Sequence, residues 1–247
     1  MIDSLKSEFR KLLTVRSTYI ITILVLAFIS FIAFYVEGWR LNVRDLADPH
    51  QLTNDVFGAL GLSVFGAIIA ILLMTHEYRY NTVMYTLTNS SSRTRVLLSK
   101  AIVISAYAVF LTVIISVLSP LASYLGIHAH GHTLAPQTFN VGDVAWRSLF
   151  YGWSYGVAGL LLAVLIRSQV GAIAALFVLP GAIEPLLGQL FKHNAVYLPF
   201  TAQGQIIGQG AMASPPLDPG KAAVVFCIYL VVGWVIAWVL FLRRDAN

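Results

Sequence analysis

Six stretches of this sequence contain no charged residue and are apolar over most of their length: 17–36, 56–75, 101–127, 148–166, 168–183 and 222–242. A helix needs roughly 20 apolar residues to cross about 30 Å of hydrocarbon. It also satisfies its own backbone hydrogen bonds, which lipid cannot do for it. The windows therefore predict an all-α integral membrane protein, a single domain over 1–247 with six transmembrane helices. The fifth window is short and ends at Glu184-Pro185; a kinked continuation to about Leu190 is tolerated where neighbouring helices satisfy the freed carbonyl. Only 11% of the chain is charged, against about a quarter in soluble domains, which agrees with the windows. The first window is longer than the roughly 7–15 residues of a signal-peptide core, and Glu37-Gly38-Trp39 is no cleavage site, so it is expected to remain as a span.

Orientation follows from the basic residues. With the N-terminus inside, the inner segments hold Lys6, Arg10, Lys11, Arg16, Arg79, Arg93, Arg95, Lys100, Arg167, Arg243 and Arg244, eleven in all. The outer segments hold Arg40, Arg44, Arg147, Lys192 and Lys221, five in all. Both termini are thus expected in the cytoplasm, in a multi-pass protein of the cytoplasmic membrane. The net charge of +5 follows the inner face and leaves no compact basic patch with interleaved aromatics, which argues against nucleic acid as a partner.

The segment before the first span, 1–16, has the pattern of a basic amphipathic helix. Ile2, Leu5, Phe9, Leu12 and Leu13 recur at three- and four-residue steps, with Lys6, Arg10 and Lys11 on the other faces and Arg16 at the membrane entrance. Such a helix lies in the headgroup plane. The outer segment 184–221 carries apolar pieces too short to span, broken by Pro and Gly, and is expected to form re-entrant helices before the last span. Glu184 is the one acid near a span interior. Buried, it would be a candidate functional acid; the window length favours instead an end marker at the outer headgroups. The outer loop 128–147 contains His128, His130 and His132, which would share a face if extended, but no carboxylate is near, and a solvated loop is expected in place of a metal site.

Several chemistries are missing from the sequence. His76-Glu77-Tyr78-Arg79-Tyr80 begins like a zinc-protease motif but lacks the second His at Tyr80. No phosphate-binding Gly-Lys-Ser/Thr loop occurs, so the chain is not expected to bind ATP in that way. No nucleophile elbow occurs. The lone Cys227 has no partner for a disulfide. The Asn89-Ser90-Ser91 sequon falls on the inner side.

Residues 76–100 provide about 25 residues where a hairpin between two spans needs only a short turn. Arg79, Val83, Met84 and Leu87 fall at three- and four-residue steps, flanked by Tyr80 and Tyr85, and Asn89 to Ser92 break the pattern. The spacing predicts a short helix below the membrane, which another protein could push. A serine is then expected to cap the helix entering the third span, with Arg93, Arg95 and Lys100 at its foot.

Taken together, the amphipathic SLKSEFRKLLTVRSTY, the Glu77-Tyr78-Arg79 with Thr82 that follows the second span, the basic SSRTRVLLSK and the VYLPFTAQGQII before the last span resemble the membrane subunits of type-2 ATP-binding-cassette (ABC) exporters. Asn81 stands where that family often has Gly. The resemblance covers nearly the whole chain. It implies that 76–100 holds a cytoplasmic coupling helix, with Glu77, Arg79, Tyr80, Thr82, Val83, Met84 and Leu87 meeting a separate nucleotide-binding ATPase. It further implies a second permease chain, identical or different, and ATP with Mg only on the partner, with no cofactor in this chain. The expected cargo is lipophilic or amphiphilic: an antimicrobial peptide, a drug or a lipid-like molecule. The alternative is a non-transport membrane anchor or sensor subunit, or an intramembrane enzyme.

Overall fold

A computed structural model describes residues 2–40, 43–79, 93–209 and 215–243. Among these the chain is helical, without strands. The helices are α1 (Ile2–Thr14), α2 (Arg16–Ile32), α3 (Val43–Leu46), α4 (Gln51–Ala59), α5 (Val64–Arg79), α6 (Arg93–Ala129), α7 (Val141–Ile166), α8 (Gln169–Val178), α9 (Glu184–Phe191), α10 (Pro199–Ile206) and α11 (Pro219–Arg243). Two π-helical stretches, Ala33–Trp39 and Leu179–Ile183, prolong α2 and join α8 to α9. A 3-10 turn, Leu60–Ser63, joins α4 to α5.

Six helical segments are long and apolar enough to cross a membrane: Arg16–Trp39, Gln51–His76, Thr94–Ala129, Val141–Ile166, Gln169–Tyr197 and Pro219–Phe241. They coincide with the six windows, and several extend beyond them for identifiable reasons. The third span begins at its basic entrance and runs through Pro120 unbroken. The fourth starts at Val141, not 148, because Asn140 caps it by accepting from the Asp143 amide at 3.1 Å. One turn on, Arg147 pairs with Asp143 at 2.8 Å, so both charges are accommodated on the helix. The fifth continues past residue 183, since its π-helical stretch absorbs Pro180 and Pro185 opens α9. Spans four and five part at Arg167, in the left-handed conformation, and Ser168, whose hydroxyl accepts from Gly171 N.

α7 is the central helix. It packs against α5 and α6, and on its other side against α11. Its glycines permit the approach. A Cβ on Gly152 or Gly156 would collide with Thr112 or Ala108 of α6, and one on Gly159 would stand 2.5 Å from the Ala67 carbonyl oxygen of α5. Helices in lipid gain van der Waals contact this way, because apolar burial drives little association there. One apolar cluster joins Ile29, Leu60, Tyr107, Leu111, Ile115 and Tyr151. A second joins Ala67, Met74, Leu97, Leu160, Leu176 and Phe241 toward the end that carries α1. A few polar pairs cross between helices: Thr22 with Tyr107 at 2.6 Å, and Trp153 donating to Ser105 Oγ at 3.0 Å. The remaining faces of α2, α6, α8 and α11 present exposed large apolar side chains such as Ile23, Phe110, Phe177 and Val231, as lipid contact requires.

Candidate functional site

The α1 end of the bundle is built around one carboxylate. In α1, Leu5, Glu8 and Leu12 recur at one-turn spacing and face α6. Glu8 is 7% exposed and Lys100 of α6 only 3%. Lys100 Nζ donates to Glu8 Oε2 at 2.8 Å, while Lys11 Nζ donates to Glu8 Oε1 at 2.7 Å. One acid thus ties α1 to the foot of the third span, and a buried pair of this kind fixes geometry because breaking it strands a charge. Sequence reasoning missed Glu8, since the amphipathic pattern was read from apolar and basic residues alone. Glu8 falls between Leu5 and Leu12 on that inward face.

Of the residues expected on the interfacial helix, Lys6, Phe9 and Arg10 are exposed, and Lys11 is half-buried on Glu8. Arg16 does not belong to that helix: α1 ends at Thr14, and Arg16 opens α2 after a break at Val15. The expected single apolar stripe is also divided. Leu5 and Leu12 pack inward, whereas Phe9 and Leu13 point away from the bundle.

α5 and α6 reach the same end. Met74 and Leu97 meet there in one cluster. α5 closes at Arg79, which places Glu77 and Arg79 in its last turn. Tyr80, Thr82, Val83, Met84 and Leu87 lie outside the described residues, as do the break at Asn89 to Ser92 and its serine cap.

At the opposite end, Glu184 corrects the expectation of an exposed end marker. It is 5% exposed. Its carboxylate accepts from Phe200 N at 2.7 Å, Thr201 N at 2.6 Å and Thr201 Oγ1 at 2.8 Å. The cause is the chain reversal through residues 192–197, where Lys192 has φ of 49°, which brings the first turn of α10 over the carboxylate. A carboxylate meeting the free amides of a helix start is stabilised by them and by the helix dipole. α10 in turn packs on α11, with Gln203 donating to Ser154 Oγ of α7 at 2.8 Å and Gln205 Oε1 accepting from Leu217 N at 2.6 Å. Glu184 therefore pins 199–206 to the fifth span.

The three histidines do not share an extended face. His128 is still in α6 and bonds Tyr124 at 2.8 Å, while His130 lies over Trp39. The following residues are tied to the 46–52 segment through Ala135 N to Leu46 O, Thr138 N to Pro49 O and Leu52 N to Gln137 Oε1. Between α7 and α11, Phe150, Val224, Cys227 and Val231 help line an apolar surface groove of about 440 Å³.

Six spans, with an N-terminal helix clamped to the third of them and a long connector between the second and third, define a multi-pass membrane protein. Residues 4–180 match the family model described as ABC-2 family transporter protein. That is well over half of the chain, which therefore belongs to this family and is a permease subunit of an ABC transporter. Membership implies association with a nucleotide-binding ATPase subunit. No curated protein matches the chain.

Proposed function

We propose that this permease works as half of an exporter in the cytoplasmic membrane, with both termini in the cytoplasm and a second permease chain beside it. A separate ATPase binds and hydrolyses ATP with Mg. Residues 77–90 form the coupling helix on which that ATPase docks, in the manner of an amphipathic helix in a groove. Glu77, Arg79 and Thr82 supply polar contacts, and Tyr80, Val83, Met84 and Leu87 the apolar area. ATP binding favours one arrangement of the ATPase pair, and differential contact at the coupling helix biases the permease pair accordingly. α1 lies at the inner headgroups on Phe9 and Leu13, with Lys6 and Arg10 toward anionic lipid.

The observation that carries this reading is the buried Glu8–Lys100 pair. It joins the N-terminal helix to the foot of α6, directly after the connector, so that a push on the connector is received by a braced element. The cargo is lipophilic or amphiphilic, an antimicrobial peptide, a drug or a lipid-like molecule. The apolar groove between α7 and α11 suits hydrocarbon.

Substituting Met84 and Leu87 with Asp would bury charge in the docking groove at several kcal/mol. The double variant should still insert, because every span is untouched, and should lose ATPase co-purification and transport together. Normal ATPase recovery with normal transport would show that the connector is only a loop.

A further inference from the structure

At the α1 end, the last span and the foot of the third enclose a groove separate from the one between α7 and α11. Its volume is about 290 Å³, near the roughly 300 Å³ lower size of small-ligand clefts. Thr94, Leu97 and Leu98 of α6 form one wall, and Trp234, Val235 and Trp238 of α11 the other. Leu97 is buried, whereas Leu98, Val235 and Trp238 are exposed. Trp238 Nε1 donates to Thr94 Oγ1 at 3.3 Å and ties the two walls together.

The walls are hydrocarbon and indole, with one hydroxyl at Thr94. Such a lining suits an acyl chain and offers little to a polar solute. Trp234 and Trp238 stand one turn apart near the end of a span, where indoles sit at headgroup level with their rings in hydrocarbon. The charge around the groove is one-sided. α6 opens on Arg93 with the exposed Arg95 in the same turn, and that turn carries no acid. α11 ends at Arg243, and Arg244 follows in the sequence. Across 90–96 and 240–247 these four arginines meet a single acid, Asp245. Lys100 is committed to Glu8. An apolar groove beside an excess of positive charge matches an amphiphile with an apolar tail and an anionic head.

We propose that this groove seats one anionic phospholipid of the inner leaflet, its acyl chain between α6 and α11 and its phosphate at the arginine-bearing ends of those helices. A zwitterionic lipid offers the same chain but turns an ammonium toward the same arginines, so an anionic headgroup is selected. The seated chain joins the last span to the foot of the third, directly after the connector. Only the choice of leaflet rests on the cytoplasmic placement of the α1 end; the selection of lipid does not.

The test is native mass spectrometry of the purified full chain in detergent, titrated with phosphatidylglycerol and, separately, with phosphatidylcholine of the same acyl chains. The expected result is one phosphatidylglycerol held at least about fivefold more tightly than phosphatidylcholine, the worth of one arginine near a headgroup. Val235→Trp should fill the groove and abolish retention, whereas Val170→Trp, at an exposed position of α8, should not. Arg93→Gln with Arg95→Gln should weaken phosphatidylglycerol about fivefold for each charge removed and leave phosphatidylcholine unchanged. No phosphatidylglycerol retained, equal retention of the two lipids, or undiminished retention in Val235→Trp would overturn the proposal. A dimer that Val235→Trp splits, with no lipid held by the wild type, would seat a second copy there and likewise overturn it. Should Val235→Trp fail to fold, unchanged selectivity for phosphatidylglycerol in the double arginine variant would overturn it.

Discussion

Replacing Glu8 by Gln keeps the shape of the side chain and removes the charge that two ammonium groups share. The Lys11 bond lies at the surface, with the lysine side chain 38% exposed, and is worth less than about 1 kcal/mol. The Lys100 bond is enclosed on both sides, so the larger figure for removing one member of a buried pair applies, about 3 kcal/mol. Leu12 remains buried and retains roughly 2 kcal/mol of apolar contact, so α1 should loosen without detaching. Local opening of α1 then becomes about 100-fold more frequent, each 1.4 kcal/mol or so being tenfold. Amide hydrogen exchange reads this directly. Amides of residues 5–14 should exchange about 100-fold faster in Glu8→Gln, while those of α7 keep their protection. Adding Lys100→Met should restore most of the protection, because removing both charges of a buried pair costs far less than removing one. A change below about threefold in the single variant would mean the pair behaves like a surface contact and clamps nothing. Equal loss of protection in α7 would mean that it supports the whole bundle and not α1 in particular.

Two further outcomes concern the opposite end. Gly126→Val should leave little folded monomer on size-exclusion chromatography in detergent, because the Cβ alone would overlap the backbone of Phe34, which cannot move aside as a side chain could. Glu184→Gln should raise amide exchange across 199–206 selectively, by the equivalent of about 1.5–3 kcal/mol, as it gives up charge-assisted bonds from Phe200 and Thr201; unchanged exchange there would show that packing of α10 on α11 suffices.

The six spans were legible because a charge-free window is a local property, and lipid leaves a helix as the only open structure for it. What escaped is the pairing between distant positions. A charge-free window stops at Asp55 and at Glu184 because it treats any acid as solvated. Asp55 is instead served by Gln51 one turn away and held through Ser119, 64 residues on. Glu184 is served by amides 16 and 17 residues on, after a chain reversal that no window contains. Glu8 is matched by Lys100 across 92 residues. The stripe on α1 is divided for the same reason: its inward face is defined by what α6 offers, a lysine, and not by apolarity alone. Such matches become visible only once the helices are placed side by side.

The π-helical stretches that end the first span and divide the fifth have a bearing on rotational phase. Each α-helical residue turns the chain by about 100°, so a π turn holds one residue more than an α turn of similar reach. Losing a single residue within 33–36 could be absorbed by tightening that stretch into an ordinary helix, at little cost to hydrogen bonding. Everything beyond it would then keep close to its present phase, because the α turn takes the place of the wider one. Gly38 would hold its seat on Gly126, whereas a deletion in the α-helical part, 17–32, would turn Gly38 away from it by about 100°. The stretch 33–39 is thus the part of the first span that can give up a residue without losing its meeting with the third span.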